Sequence, residues 1–234
     1  MTAESIPHIP VRTALVDVDE TITHTTGAGA GDDFLGALCH LVAQHHGVDA
    51  HRAEAIVRDT FDPEEEPLLD SHLQSLGVGF DAYWRELMGR LAACVQPYDD
   101  AVQMIRTLRD RGVPMYPATT NSGLACRAKL ATAGLAGPTG PTCFGDLLGG
   151  SEVHPNGKRG PAFFAALLEK IGRDAQDVLV VGDDEVADLA YAQAAGIQHV
   201  VIVRRDQDEP WFRRQDGAIF VRRLTIVPEM LVEQ

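Results

Sequence analysis

The chain has 234 residues, of which 45% are hydrophobic and 23% charged, a composition that is typical of ordered globular proteins and excludes intrinsic disorder. Its formal net charge of −14 opposes binding to nucleic acid and to anionic membrane surfaces. No apolar run approaches the roughly 18 residues of a membrane span, and the N-terminus lacks the pattern of a signal peptide. We therefore expect a soluble, cytoplasmic protein whose four cysteines are free thiols.

The first part of the chain predicts one strand followed by helices. Residues 11–18 are apolar and β-branched without a helical period, which indicates a buried strand. Residues 23–31, THTTGAGAG, predict a flexible loop. Residues 32–95 show apolar residues at three- and four-residue spacing throughout, which predicts a small helical bundle. Candidate N-caps are Asp32, Asp49 and Asp81, and candidate C-terminal stops are Gly47 and Gly77.

Strands and helices alternate after Pro97. Such alternation is typical of a parallel sheet covered by helices on both faces. The predicted fold class is therefore α/β: a Rossmann-like core of residues 1–22 and 97–234, with a helical domain of residues 23–96 inserted after the first strand. Within the core we predict helices over 99–111, 122–133, 161–171 and 186–195, and strands over 113–118, 142–144, 177–181, 199–203 and 218–221.

Three carboxylates crowd the end of the first predicted strand, in the stretch ALVDVDETIT. Asp17, Asp19 and Glu20 fall within four residues of one another. Like charges at the end of a buried strand repel one another and lose hydration, so they need compensating partners. A divalent cation is the simplest compensation.

Polar side chains of complementary type follow the later predicted strands. In doubly wound sheets the functional site lies beyond the carboxyl ends of the strands, so these groups are expected to meet. Carboxylates from two strand ends can hold Mg²⁺, which prefers hard oxygen ligands completed by phosphate and water. A lysine and a threonine hydroxyl can then hold phosphate oxygens. The candidates are Thr119, Thr120, Asn121, Ser122, Lys158, Asp183, Asp184 and Asp188.

These residues form four motifs by which the chain resembles the haloacid dehalogenase superfamily, most of whose members are phosphatases. In order they are DVDET at 17–21, ATTN at 118–121, Lys158, and GDDEVAD at 182–188. One such match would be weak, whereas four in the right order on the right predicted elements are specific. The helical segment 23–96 resembles the cap of this superfamily, inserted as in phosphoglycolate phosphatases and β-phosphoglucomutases.

The resemblance implies covalent catalysis. Asp17 would be the nucleophile that attacks phosphorus to give an aspartyl-phosphate, which water then hydrolyses. Asp19 would protonate the leaving oxygen and later deprotonate water. Its presence argues against dehalogenation, because the dehalogenases of the superfamily lack this second aspartate. Alternation along the strand would point Asp19 to the same side as Asp17. Glu20, where the family more often has glycine or asparagine, is given no catalytic role.

The resemblance also implies contacts to the phosphoryl group and to Mg²⁺. Thr120, with Thr119 as the alternative, would hydrogen-bond the phosphoryl group, and Lys158 would neutralise its charge and orient Asp17. The candidate substrate contacts are Thr120, Asn121, Lys158 and His24. The implied metal residues are Asp17, Asp19, Asp183 and Asp188. Asp183 would bind the ion directly, Asp188 would act from behind the direct ligands or through water, and Asp184 could substitute for either of these two. Ser122 is expected to be an N-cap.

The sequence therefore predicts a Mg²⁺-dependent phosphatase that hydrolyses a small phosphorylated metabolite, such as a sugar phosphate. A phosphomutase of the β-phosphoglucomutase type would use the same motifs and stays open. A phospho-accepting regulatory domain or a non-catalytic binding protein ranks lower, because receiver domains lack a DxD pair with an inserted cap. The subunit number, monomer or dimer, is left open. The arginine pairs at 204–205, 213–214 and 222–223 are expected to lie on solvated faces.

Overall fold

The computed structural model describes residues 6–26, 30–60, 70–141 and 143–231. Among these, the strands are β1 (Thr13–Val16), β2 (Thr23–Thr25), β3 (Val95–Pro97), β4 (Met115–Pro117), β5 (Ala136–Gly137), β6 (Gly140–Pro141), β7 (Val178–Gly182), β8 (His199–Val203), β9 (Trp211–Arg213) and β10 (Ile219–Val221). The α-helices are α1 (Ala30–His46), α2 (Ala50–Thr60), α3 (Asp70–Ser75), α4 (Phe80–Cys94), α5 (Asp99–Asp110), α6 (Gly123–Thr132), α7 (Gly150–Val153), α8 (Pro161–Ile171), α9 (Tyr191–Ala194) and α10 (Val227–Met230). A π-helix covers Glu185–Ala190, and 3₁₀ turns cover Ala175–Asp177 and Leu224–Ile226.

Six strands form the main sheet, in the order β4-β1-β7-β8-β10-β9. All neighbours pair in parallel except β9, which runs antiparallel to β10 at the edge. In the register of the central strands, Val16 of β1 is level with Pro117 of β4 on one side and Val181 of β7 on the other. The carboxyl ends of these three strands therefore lie side by side, which brings the residues that follow them together.

Helices cover both faces of this sheet. Alternate residues of β1 point to opposite faces: Leu15 packs in one cluster with Phe163 and Phe164 of α8, and Val16 packs in the other with Met104 of α5. Every residue of β1 and of β7 is buried, as expected when a parallel sheet is sandwiched between helices. This architecture confirms the predicted α/β class with a parallel Rossmann-like core.

The chain divides into two compact units, one of residues 1–24 and 97–234 and the other of residues 25–96. The first contains the main sheet. The second is built from α1 to α4, whose apolar faces bury Leu38, Val42, Leu87 and Leu91. Whether residues 23–96 act as a cap stays a prediction.

The chain leaves and re-enters the first unit at neighbouring points. Within that unit, the amide of Tyr98 donates to the carbonyl of Ile22 at 2.9 Å. Within the second unit, the amide of Thr26 donates to the carbonyl of Cys94 at 2.7 Å. Each unit therefore holds the outgoing and the returning segment together by its own hydrogen bond.

The local signals for helix ends have mixed outcomes. Asp49 caps α2 by accepting a hydrogen bond from the amide of Arg52 at 2.8 Å, and Gly47 and Gly77 adopt φ of +64° and +70°, as expected of helix stops. Asp81 is wrong as an N-cap because α4 begins at Phe80. Asp32 is also wrong, because α1 already begins at Ala30.

Several predicted elements differ in extent or type. Pro161–Ile171 and His199–Val203 have the predicted bounds. The strand predicted over 142–144 is wrong: Cys143 and Phe144 are not in a strand, Thr142 lies outside the described residues, and the chain instead forms the β5-β6 pair just before. The helix predicted over 186–195 begins as the π-helix and ends as α9. Over the described part of the chain, none of the helices combines the length and apolar character that a membrane crossing requires.

Candidate active site

Three carboxylates meet at the carboxyl ends of β1 and β7. Asp17 follows β1 directly and is buried, and its amide donates to the carbonyl of Val181 at 2.9 Å, so the sheet itself fixes its backbone. Asp183 and Asp188 follow β7. Each of the three residues offers a carboxylate oxygen, and these oxygens all lie within 4.8 Å of one another. The predicted convergence of the first and fourth motifs is thus present in the structure.

Lys158 lies between two of these carboxylates. Its side chain is only 3% exposed, and Nζ donates to Asp17 Oδ1 at 2.7 Å and also contacts Asp188 Oδ1. Burial alone would lower the pKa of Lys158, but the charges of Asp17 and Asp188 outweigh burial and raise it. Burial raises the pKa of Asp17 to about 7, with Asp188 adding to the rise and Lys158 opposing it. One lysine therefore does not balance the buried carboxylates.

Asp188 is held by the chain around it. It is fully buried, and its Oδ2 accepts hydrogen bonds from the amides of Asp183 at 3.1 Å and Asp184 at 3.0 Å. Gly182 makes room for this arrangement, because a Cβ at that position would collide with the Asp188 carboxyl group. The three groups that bind the Asp188 carboxylate are thus supplied by Lys158 and by the turn after β7.

Asp184 serves a different purpose from its neighbours. Its Oδ1 accepts hydrogen bonds from the amides of Val186 and Ala187, both at 2.7 Å, so its side chain caps the π-helix. These amide hydrogen bonds hold the pKa of Asp184 below its ordinary value. The carboxylate is not part of the three-residue group, which leaves Asp183 and Asp188 as the acidic residues that the fourth motif brings to the site.

The three-carboxylate group has the chemistry of a site for a hard divalent cation. Three carboxylates and one lysine leave an excess negative charge in a partly buried position. Burial and the neighbouring Asp188 raise the pKa of Asp183 as well, so a second member of the group lacks full compensation. Thr21 links two of the members, with its hydroxyl within 3.2 Å of Asp17 Oδ2 and 3.3 Å of Asp183 Oδ1.

Asp19 does not join this group. Its Oδ1 accepts a hydrogen bond from Lys129 Nζ at 2.7 Å, and its Oδ2 accepts one from Asn121 Nδ2 at 2.7 Å. The carboxylate of Asp19 is thus engaged with the second motif and α6, while that of Asp17 is engaged with Lys158. Lys129 is a functional candidate that the sequence reasoning missed, although the chain has only three lysines and this one falls among the small and apolar residues of α6.

The two threonines of the second motif have distinct surroundings. Thr119 is buried, and its hydroxyl accepts hydrogen bonds from Asn121, from the amide at 3.1 Å and from Nδ2 at 2.6 Å. Thr120 is exposed. Ser122 caps α6 as predicted, accepting from the amide of Ala125 at 3.2 Å. Thr120 is thus the threonine whose surroundings leave it accessible, and Thr119 organises the loop.

Thr120 lines an open cavity of about 480 Å³. The cavity is next to the site along the chain, because Thr120 precedes Asn121 and Gly157 precedes Lys158. Among the residues that the structure describes, the lining contains one cation, hydroxyl groups and an amide, and no carboxylate, in a chain of net charge −14. The lining residues are Thr120, Ser151, Pro155, Asn156, Gly157 and Arg159.

The loop after Asp19 is held by an arginine and a tyrosine. Glu20 has φ of +57°, the only positive value among the non-glycine residues that the structure describes, which gives a physical reason for glycine or asparagine there. Tyr98 donates to the Glu20 carboxylate at 3.0 Å. Arg205 donates to the carbonyls of Glu20 and Thr21, each at 2.9 Å, and stacks on the Tyr98 ring. The expectation that Arg205 lies on a solvated face is therefore wrong. His24, a predicted substrate contact, stacks on Tyr98 with ring centroids 4.6 Å apart.

The profile of haloacid dehalogenase-like hydrolases matches residues 11–196. This stretch contains all four motifs and the residues of the site. The chain belongs to this family, which confirms the resemblance that the motifs indicated.

Two curated relatives and one solved structure that resemble this chain are phosphatases by name. A phosphoglycolate phosphatase of Rhodospirillum rubrum is 34% identical over 113 residues, covering 48% of this chain and 44% of the relative. A phosphoglycolate phosphatase of Neisseria gonorrhoeae is 29% identical over 152 residues, covering 65% of this chain and 61% of the relative. This chain thus spans about half the length of these curated relatives. The crystal structure of a HAD phosphatase from Thermococcus onnurineus has 20% identity and a TM-score of 0.56, covers 94% of this chain and 97% of its own, and shows the shared fold.

Proposed function

We propose that the protein is a Mg²⁺-dependent phosphatase that hydrolyses a small phosphorylated metabolite through an aspartyl-phosphate on Asp17. The observation that carries this proposal is the buried Asp17 carboxylate at the end of β1, bound by Lys158 and grouped with Asp183 and Asp188. Membership of the haloacid dehalogenase-like hydrolases and the names of the two curated relatives support it.

The first half-reaction transfers the phosphoryl group to the protein. A carboxylate oxygen of Asp17 attacks phosphorus, and the bond between phosphorus and the leaving oxygen breaks, with its electron pair going to that oxygen. Asp19 donates a proton to the leaving oxygen, so the product departs as an alcohol. Lys158 and the hydroxyl of Thr120 stabilise the negative charge on the phosphoryl oxygens.

The second half-reaction regenerates the enzyme. Asp19, now a carboxylate, takes a proton from a water molecule as its oxygen attacks the phosphorus of the aspartyl-phosphate. The bond between phosphorus and the Asp17 oxygen breaks, and its electron pair restores the carboxylate. Inorganic phosphate leaves, and Asp19 again holds the proton that the next turnover requires.

Asp17 and Asp183 are the side chains that we propose to hold Mg²⁺, with Asp188 acting on the ion through water or through its neighbours. Asp188 has one oxygen on two amides and the other on Lys158, so it is less available for direct contact. The Asp19 carboxylate, a predicted ligand, is engaged by Lys129 and Asn121 instead. Bound Mg²⁺ would offset the charge of the carboxylates and of the phosphoryl group.

The cavity beside Thr120 is the proposed location of the part of the substrate that does not react. Arg159, the hydroxyl of Ser151 and the amide of Asn156 are suited to an anionic or hydroxylated group, and none of the lining residues within the described ranges is acidic. Phosphoglycolate, the substrate in the names of both curated relatives, carries such a second anion in its carboxylate. We therefore propose a small substrate that bears a second anionic group. His24 and the helical unit of residues 25–96 stay predicted contributors to substrate binding and closure.

The test is phosphate release from sugar phosphates, nucleotides and short organic phosphates, with Mg²⁺ and with a chelator in parallel. We expect metal-dependent release from a few related compounds, and we expect Asp17→Asn to abolish it while the variant stays folded. Asp146→Asn, an exposed aspartate in the loop after Phe144, is the matched control and should behave as wild type. Undiminished turnover by Asp17→Asn would remove the nucleophile. Transfer of phosphate between positions of one substrate, without release, would instead identify a phosphomutase.

A further inference from the structure

A buried lysine of α6 holds the residue that we assign as general acid and base. Lys129 is 8% exposed. Its Nζ donates to Asp19 Oδ1 at 2.7 Å and to Asn121 Oδ1 at 2.8 Å, and Asn121 Nδ2 donates to Asp19 Oδ2 at 2.7 Å. The three side chains therefore form a closed ring of hydrogen bonds in which both oxygens of Asp19 are occupied.

Packing alone does not account for a lysine at this position. Lys129 follows Ala128 and precedes Leu130, both fully buried, and an ammonium group there loses most of its hydration. A buried ion pair is weak evidence for stability, because apolar side chains of similar volume are often as good or better. The lysine is therefore better explained by what it does to Asp19.

Among the residues that the structure describes, Lys129 and Asn121 are the ones that hydrogen-bond the Asp19 carboxylate. The Asp19 side chain is 42% exposed, so solvent would otherwise surround much of it. Hydrogen bonds to both oxygens fix the rotation of the carboxyl group as well as its position. Each carboxylate oxygen has two lone-pair directions, so one hydrogen bond at each still leaves a direction for the proton that Asp19 transfers.

We infer that Lys129 is a positioning residue that aligns Asp19 for proton transfer to the leaving oxygen. The inference rests on the proposed function, because it concerns the acid of the same reaction. General acid catalysis requires the donor oxygen within hydrogen-bond reach of its target, and a misplacement of about 1 Å reduces rates by about 100-fold. Lys129 binds the Asp19 carboxylate, and its proposed effect on the reaction passes through the orientation of that group.

The experiment compares two substrates that differ in their need for an acid. An alkyl phosphate has a strongly basic leaving oxygen that must be protonated, whereas 4-nitrophenolate leaves without a proton. For Lys129→Met we expect kcat/KM for the alkyl phosphate to fall by about 10- to 100-fold, and kcat/KM for 4-nitrophenyl phosphate to change by less than about threefold. Lys129→Arg, which keeps the charge and donors, should recover most of the loss. Lys170→Met, at an exposed lysine of α8 that donates to the Glu152 carbonyl, is the control.

A double variant tests whether the effect passes through Asp19. In an Asp19→Asn background, Lys129→Met should cause no further loss with the alkyl phosphate. An undiminished further loss, an equal loss with both substrates, or no loss with either would overturn the inference. Should the methionine variant not fold, Lys129→Gln, which keeps hydrogen-bond donors at the end of the side chain, is measured by the same criteria. If the wild-type protein releases phosphate from neither compound nor from the wider panel, the proposed function itself fails, and that result is distinct from all of these.

Discussion

Replacing Lys158 by methionine removes the cation that lies between two buried carboxylates. At an effective dielectric constant of about 20, the 2.7 Å contact between Lys158 Nζ and Asp17 Oδ1 corresponds to an attraction of about 6 kcal/mol. Methionine carries no charge, so the variant does not bear the cost of burying an ammonium group, and this offsets part of the lost attraction. Breaking one partner of a buried pair typically costs about 3–5 kcal/mol, and we expect the free energy of unfolding to fall by this amount in the presence of a chelator.

Urea unfolding with chelator and with Mg²⁺ measures this effect. Saturation with Mg²⁺ at about 100 times its dissociation constant should stabilise the wild-type protein by about 2.7 kcal/mol. Lys158→Met should gain at least as much, because carboxylates without their lysine attract the cation more strongly. Lys170→Met provides the matched control, with an expected change within about 0.5 kcal/mol for a surface site. Equal stability of Lys158→Met and wild type in chelator would show that Lys158 does not compensate the carboxylates, and the electrostatic reasoning would be refuted.

Three further outcomes follow from single positions. Gly182→Ala should displace Asp188 and so reduce both turnover and the stabilisation by Mg²⁺ in thermal unfolding. The control is Gly89→Ala, in an exposed turn of α4 with open space around it, which should stabilise the protein by about 0.5–1 kcal/mol. Full Mg²⁺ stabilisation of Gly182→Ala would contradict the prediction. Arg159→Met should raise KM by about tenfold for substrates with a second anionic group and leave KM unchanged for phosphate esters without that group. An equal change for both would exclude the anion contact. Glu20→Val should lower the free energy of unfolding by about 1 kcal/mol, because a β-branched residue tolerates a φ of +57° less well than glutamate and because the hydrogen bond from Tyr98 is lost. A neutral result in urea unfolding would contradict that.

The convergence of carboxylates could be predicted from the sequence because it depends on topology. Apolar runs at 11–18 and 177–181 indicate parallel strands, and their carboxyl ends meet at one edge of a sheet whatever the details of the loops. The register that sets Val16 level with Val181 then brings Asp17 and Asp183 together. A motif that directly follows a predicted parallel strand therefore also predicts where its side chains lie, because the sheet brings the residues after neighbouring strands close together.

The place of Asp19 could not be predicted in the same way. Alternation along a strand would have pointed it with Asp17, but β1 ends at Val16 and the backbone turns through a positive φ at Glu20. Its partner Lys129 lies 110 residues away on a helix, a pairing that only the folded chain shows. The π-helix after Asp184 was missed for a related reason, because one extra residue in a turn barely alters the spacing of apolar side chains.

The edge strand β9 could not be predicted because its sequence has no pattern typical of a strand. It has three residues, two of them exposed, and pairs antiparallel to β10 at the rim of the sheet. So short a strand with one open side has no apolar alternation to detect. Arg205 is a similar case, because adjacent arginines are typical of surfaces, and its contacts with Tyr98 and the carbonyl of Thr21 depend on segments far apart in the chain.

The adjoining exit and return of the chain bear on how such a protein diversifies. Ile22 and Tyr98 are joined by a hydrogen bond within the first unit, and the second unit, residues 25–96, is inserted between them. An insertion of this kind can lengthen, shorten or be exchanged in descent while β1, β4 and β7 keep their register. The grouped carboxylates and Lys158 all lie in the first unit, so the residues proposed for the reaction are encoded apart from the inserted segment, and selection can change the insert while they stay unchanged.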